Sequence, residues 1–188
     1  MLFFYLQEIN FALALGGLAL LTATMLLYVD FFVYKGKYFA AKLRRCLWYI
    51  PMFITVTSVA LSLLYSEYFG FVPCSLCWLQ RIAIYPQALL SIMALKVRDT
   101  VYFPLYGIGL SIFGFLVAAY QYVYQMIPKE KLESGVLPCL VDGSGADCAE
   151  KIINEFGFVT FPFISAVTLA FLIVVYLYLR KFGEVKRG

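Results

Sequence analysis

The chain has 188 residues, 63% of them hydrophobic and only 14% charged, with a mean hydropathy of +0.86, which excludes a soluble domain and points to an all-α polytopic membrane protein. Fifteen basic residues against eleven acidic ones leave +4, and five cysteines are an odd number, so at least one has no disulfide partner within the chain. Histidine is absent, which removes histidine-ligated haem, the usual catalytic zinc sites and the commonest general acid–base.

Ile9 to Val29 is an uncharged run long enough to span, since about 20 apolar residues cross the hydrocarbon core. It does not read as a signal peptide, because no basic residue precedes it and the apolar run is too long. Gly16 and Gly17 within it suit either close helix packing or a lipid-facing surface. A basic connector follows, with Lys35, Lys37, Lys42, Arg44 and Arg45, and then a second span from Cys46 to Ser66 with Pro51 near its start. Cys46 is expected to be an ordinary buried apolar residue. The third span opens on Pro73-Cys74-Ser75-Leu76-Cys77-Trp78-Leu79-Gln80-Arg81, runs to about Leu95 and contains Pro86. Lys96, Arg98 and Asp99 make a tight turn, Thr100 to Pro128 is the fourth span, and Phe156 to Leu179 the fifth, ending in basic residues.

Between the last two spans lies the one long polar loop, 129–155, which holds Cys139 and Cys148. Pro138 and the Gly143-Ser144-Gly145 link leave Cys139 free to reach outward. Asp147 and Glu150 fit a helix-capping pattern, and Ala149, Ile152, Ile153 and Phe156 recur at helical spacing. That pattern predicts a short amphipathic interfacial helix holding Cys148 near the depth of Cys74. Basic residues concentrate in the connector, the 96–99 turn and the C-terminal segment. The long loop carries three Lys against six Asp or Glu. The positive-inside rule then places the N-terminus outside and the C-terminus in the cytoplasm. Cys74, Cys77, Cys139 and Cys148 fall at the outer face, where disulfides persist.

On a helix, Cys74, Cys77 and Arg81 share one face. The helix N-terminus and the guanidinium both favour a thiolate. Two cysteine pairs on an oxidising surface suit a relay in which a thiolate attacks a disulfide and passes two electrons on. With no haem, flavin or metal motif visible, the sink must be a lipid-soluble two-electron acceptor, and a quinone meets that need. Arg81 within a span costs about 2.5–3.5 kcal/mol at the bilayer centre and less near the ends. It serves either to neutralise a reduced quinone or thiolate or simply to snorkel toward headgroups. Gln80 suits a quinone carbonyl or a neighbouring helix equally. Tyr120, Tyr122 and Tyr124 fit a quinone pocket less well than an interfacial aromatic belt. The competing reading is a non-enzymatic scaffold or metal-binding protein whose outer cysteines are structural: an inert disulfide, a loop staple, or a zinc site of four thiolates.

The segment from Pro73 to Arg81, followed by Tyr85-Pro86, resembles the first active-site segment of the DsbB disulfide-bond formation proteins, closest to the Gram-positive type called BdbC. Asp147-Cys148-Ala149-Glu150 and then Phe156-Gly157-Phe158-Val159-Thr160-Phe161-Pro162 resemble that family's second loop and last helix. The resemblance covers roughly Cys46 to Leu179. It implies a four-helix bundle in a bacterial cytoplasmic (inner) membrane that reoxidises a DsbA-like thioredoxin-fold partner and reduces ubiquinone or menaquinone, with no nucleic acid involved. By position, Cys139 would form the mixed disulfide with the partner. Cys148 would attack Cys74, and Cys77 would face the quinone, with Arg81 and Gln80 beside it. Residues 1–34 would then be an extra N-terminal transmembrane helix, added to a DsbB-like unit over 35–188 with outer loops 67–77 and 129–155. The histidine that some members carry near the quinone is missing here, which leaves water, Gln80 or a carboxylate such as Glu67 to supply protons. The related vitamin K epoxide reductases have the reverse order of cysteine pairs, so the dithiol-first order argues against them.

Overall fold

The computed structural model describes residues 2–40, 46–97, 99–127 and 148–183. Five helices carry most of them: α1 (Leu2–Phe32), α2 (Tyr49–Leu63), α3 (Ser75–Val97), α4 (Tyr102–Tyr124) and α5 (Phe161–Phe182). A π-helical turn, Leu64–Tyr68, continues α2. Helix is what such sequences must form in lipid, because each backbone N–H and C=O has to find its partner within the segment. Pro51 lies in the first turn of α2 and Pro162 at the start of α5, where a missing N–H breaks no ladder.

Among the described residues, four helices are long and apolar enough to cross a membrane: α1, α2 with its π turn, α4 and α5. The sequence led us to expect five. The fifth, α3, has the length, at 23 residues, but carries Gln80, Arg81, Gln87 and Lys96. Gln80 and Gln87 are buried, so these carboxamides turn into the bundle, whereas Arg81 is half-buried and Lys96 exposed in the last turn.

α5 is the most enclosed helix, with Leu169, Leu172, Val175, Tyr176 and Leu179 fully buried, and it packs against α4 and α1, while α3 bridges α4 and α2. Close approach between α4 and α5 depends on Gly107, where an added Cβ would lie 2.6 Å from the Tyr176 ring. A buried polar node joins three helices: Tyr176 and Ser111 both donate to Gln87 Oε1, at 2.9 and 3.2 Å. Of the two glycines in α1, Gly17 is the packing one, since a Cβ there would meet Ile164 at 3.1 Å, whereas Gly16 faces open space.

Successive helices alternate in direction along the chain, α1 and α5 run the same way side by side, and the bundle has two distinct ends. At one, the Asp30 carboxylate accepts the amides of Tyr38 and Phe39, both at 3.1 Å, and the Tyr178 hydroxyl at 2.7 Å. This joins the connector after α1 to the end of α5. Cys46 lies in the turn before α2 and is exposed, contrary to expectation. Its neighbours Leu47 and Trp48 occupy the buried positions of that turn instead.

At the other end, residues 148–160 cross the bundle without forming the expected amphipathic helix. They make turns and a single antiparallel bridge between Glu155 and Val159, with Phe156 and Gly157 at φ 54° and 76°. Side chains from the bundle replace the helical ladder. Gln125 Nε2 donates to the carbonyls of Cys148 (3.3 Å) and Glu150 (3.1 Å), and Asn10 Nδ2 to that of Ile152 (3.5 Å). Ile153 and Cys148 are thereby buried beneath the segment.

Candidate active site

Cys74 stands just ahead of α3 and acts as its cap: its carbonyl accepts the Trp78 amide at 3.0 Å, and its Sγ accepts the Cys77 amide at 3.4 Å. Helical spacing then brings Cys77 over it, with the two sulfurs 2.7 Å apart. Both are free thiols, close enough to join with little movement of either side chain.

Cys148 is disulfide-bonded and 2% exposed. It packs in one cluster with Cys74, Leu76 and Tyr124, its sulfur 3.9 Å from the Ser75 hydroxyl. The expected closeness of Cys148 to the dithiol is therefore met by the 148–160 segment rather than by a helix. Cys139, with Pro138 and the Gly143–Gly145 link, lies outside the described residues.

Two glutamines complete the setting. Gln121 of α4 is 3% exposed and directs Nε2 at both sulfurs, 3.4 Å from Cys74 and 3.5 Å from Cys77. Its Oε1 accepts Gln80 Nε2 at 2.6 Å, which fixes the amide's orientation. Gln80 thus bonds to a neighbouring helix, and that neighbour is what touches the thiols. Arg81 reaches the Ser62 carbonyl at 3.1 Å and lies over the Trp78 and Tyr85 rings, 5.1 and 6.0 Å from their centroids. The π turn shifts the backbone ladder just beyond Ser62, with Phe69 N–H bonded to the Leu64 carbonyl at 3.1 Å, a distortion common at functional sites.

These groups share one cavity of about 220 Å³. Cys74, Cys77, Gln80, Arg81 and Gln121 lie on its wall with Gln125, Glu150, Tyr65, Ile84 and Phe161. A dry cavity of about 150 Å³ already admits benzene, so a substituted ring fits here. Gln125 Oε1 is buried and has no partner among the described residues, an acceptor suited to a ligand hydroxyl. The quinone expected from the sequence fits this donor set and volume. Glu67 is exposed and bonded to Ser66. It lies off the cavity wall, where Glu150 stands instead. Tyr120 and Tyr122 are also absent from the wall, and Tyr124 packs behind the cysteines.

Sequence reasoning did not single out Gln121, Gln125, Tyr65 or Asn10. One signal was available: Gln121 and Gln125 are polar residues four apart at the end of an otherwise apolar span, so they share a face that must find partners.

Comparison with known proteins gives the family. The family model described as "Disulfide bond formation protein DsbB" matches residues 44–179. Disulfide bond formation protein C of Bacillus subtilis is 35% identical over 136 residues, covering 72% of this chain and 92% of the relative. A probable disulfide formation protein of Oceanobacillus iheyensis is 37% identical over 122 residues, 65% of this chain and 79% of that one. One from Coxiella burnetii is 36% identical over 131 residues, 66% and 84%. No solved structure matches. A close cysteine pair at the mouth of a helix in a membrane bundle, a third cysteine held against it, and a family match across both thus lead to one conclusion: the chain belongs to the DsbB family of disulfide bond formation proteins.

Proposed function

We propose that the protein is a thiol:quinone oxidoreductase of a bacterial cytoplasmic membrane that reoxidises a DsbA-like thioredoxin-fold partner. The observation that carries the reading is the cavity. It puts a near-bonded dithiol, a cation and an unpartnered buried acceptor around a space sized for one ring.

In this reading the partner's dithiol transfers two electrons to a Cys139–Cys148 disulfide and leaves as a disulfide. Cys148 then attacks Cys74 Sγ of a Cys74–Cys77 disulfide. Cys139 closes on Cys148, and the Cys74/Cys77 dithiol remains. Bound ubiquinone or menaquinone takes up the two electrons and two protons. Cys77 presents its sulfur to the cavity, Gln121 holds both sulfurs by hydrogen bonds, and Arg81 supplies positive charge where a reduced oxygen forms.

We place the dithiol end outside and the opposite end in the cytoplasm, with residues 1–34 as an added helix on a DsbB-like unit spanning 35–188. Among the described residues, Lys35, Lys37, Lys96, Arg180 and Lys181 lie toward the end away from Cys74 and Cys77, in keeping with the positive-inside rule.

The test is Cys77→Ser. Quinone reduction is expected to vanish while a reduced partner is still trapped as a mixed disulfide. Loss of trapping together with quinone reduction would refute this division of roles.

A further inference from the structure

We infer that α1, which lies wholly ahead of the family-matched residues, is a wall of the oxidant site, and that Asn10 is a positioning residue that sets quinone affinity through Tyr65. The inference rests on the quinone reading above.

Asn10 is 8% exposed in an apolar helix, where an unpartnered carboxamide is costly. Its Oδ1 accepts the Tyr65 hydroxyl at 2.5 Å, and its Nδ2 points to the Ile152 carbonyl at 3.5 Å. A backbone carbonyl can only accept, so the amide has one orientation. Tyr65, from the π turn, and Ile152, from the 148–160 segment, both line the cavity. One side chain of α1 therefore holds two separate parts of its wall in register.

The same face of α1 continues along the cavity. Leu13 is on the wall itself. Gly17 lets Ile164, another wall residue, approach to 3.1 Å of where a Cβ would be. Positions 10, 13 and 17 follow helical spacing. Tyr65 is pinned from its other side by the edge-on Phe161 ring, 4.7 Å between centroids. Without Asn10 the Tyr65 hydroxyl is a buried donor with no acceptor, and it must turn toward the ring site or draw water there. α1 thus closes the cavity on the side that the four family helices leave to it, and Leu13 limits the size of the ring nucleus admitted.

The experiment uses the full-length protein in detergent, reduced by dithiothreitol, with a short-tailed benzoquinone and a short-tailed naphthoquinone as oxidants. Asn10→Leu is expected to raise quinone KM roughly three- to tenfold, the net worth of about one intramolecular hydrogen bond, with kcat within about twofold. Tyr65→Phe combined with Asn10→Leu is expected to raise KM no further than Asn10→Leu alone, because both ends of the bond are then gone. Leu13→Trp, at a partly exposed position that tolerates bulk, is expected to raise KM for the naphthoquinone more than for the benzoquinone. Unchanged KM in both Asn10→Leu and Leu13→Trp, in an enzyme that turns over normally, would overturn the role of α1 and leave the function intact. Additive effects in the double variant would overturn the Asn10–Tyr65 coupling. Should Asn10→Leu fail to fold, Leu13→Trp decides alone. A wild-type protein that reduces neither quinone would overturn the quinone reading itself, and this inference with it.

Discussion

Replacing Gln121 by Leu tests the site without any quinone present. Gln121 Nε2 is the side-chain donor to both thiols, at 3.4 and 3.5 Å. Such bonds strengthen as charge gathers on sulfur, so they favour the reduced pair over the disulfide, in which neither sulfur carries charge. At about 1–2 kcal/mol for hydrogen bonds of this kind, their loss should shift the Cys74–Cys77 midpoint by roughly 20–45 mV, since about 30 mV corresponds to 1.4 kcal/mol for two electrons. The shift is toward more negative potential, making the pair a weaker oxidant. The variant also strands the buried Gln80 donor, at an expected cost of about 1–3 kcal/mol in stability. Gln80→Leu with Gln121→Leu should recover part of that stability but none of the potential. The assay equilibrates the purified protein with glutathione buffers, followed by thiol trapping and gel shift, with a thermal melt on each variant. A midpoint unchanged within about 10 mV in a folded Gln121→Leu protein would refute the idea that this amide poises the dithiol.

Arg81→Ala should raise quinone KM at least about tenfold, with Arg81→Lys intermediate because a point charge replaces the planar fork on the Ser62 carbonyl; quinone titration of initial rates decides it. Gly107→Ala should destabilise the bundle by about 1–3 kcal/mol, since the new methyl meets the buried Tyr176 ring at 2.6 Å, read as a lower melting temperature in detergent. Asp99 accepts the amides of Val101 and Tyr102 at 2.8 and 3.0 Å. Burial tends to raise its pKa, but the amide bonds, with one from Phe103, outweigh it and hold the carboxyl below its usual 3.8. The stabilisation is therefore complete above 3.8 and is lost as pH falls through the lower folded value. Asp99→Ala should cost about 1 kcal/mol at neutral pH, and this difference should shrink toward zero under strong acid, as followed by melts across pH.

The helices were legible because lipid leaves the backbone one choice and the uncharged runs state their own length. α3 was legible for the opposite reason: Cys74, Cys77 and Arg81 are too costly at that depth without a purpose, and their spacing put them on one face. What the sequence obscured were the relations between segments. The helical period from Ala149 to Phe156 was real, but Gln125 and Asn10, distant in the chain, took the carbonyls that a helix would have used. Arg81 shares the cavity wall with Cys77, as the spacing suggested, but its hydrogen bond goes to Ser62 and the amide donor to the sulfurs is Gln121. A carboxamide in an apolar span announces that it needs a partner. It does not say which one, because that depends on how helices from distant parts of the chain are brought side by side.

The way α1 and α5 are tied together bears on biosynthesis. Leu27 and Asp30 meet Tyr178 across nearly the whole chain, and Asn10 meets Ile152. α1 therefore finds these partners only after α5, made later, has joined it in the bilayer. A truncated nascent chain carries the Cys74 and Cys77 thiols but no finished chamber around them. The cavity beside the two sulfurs is thus walled only once α5 and the segment before it are in place.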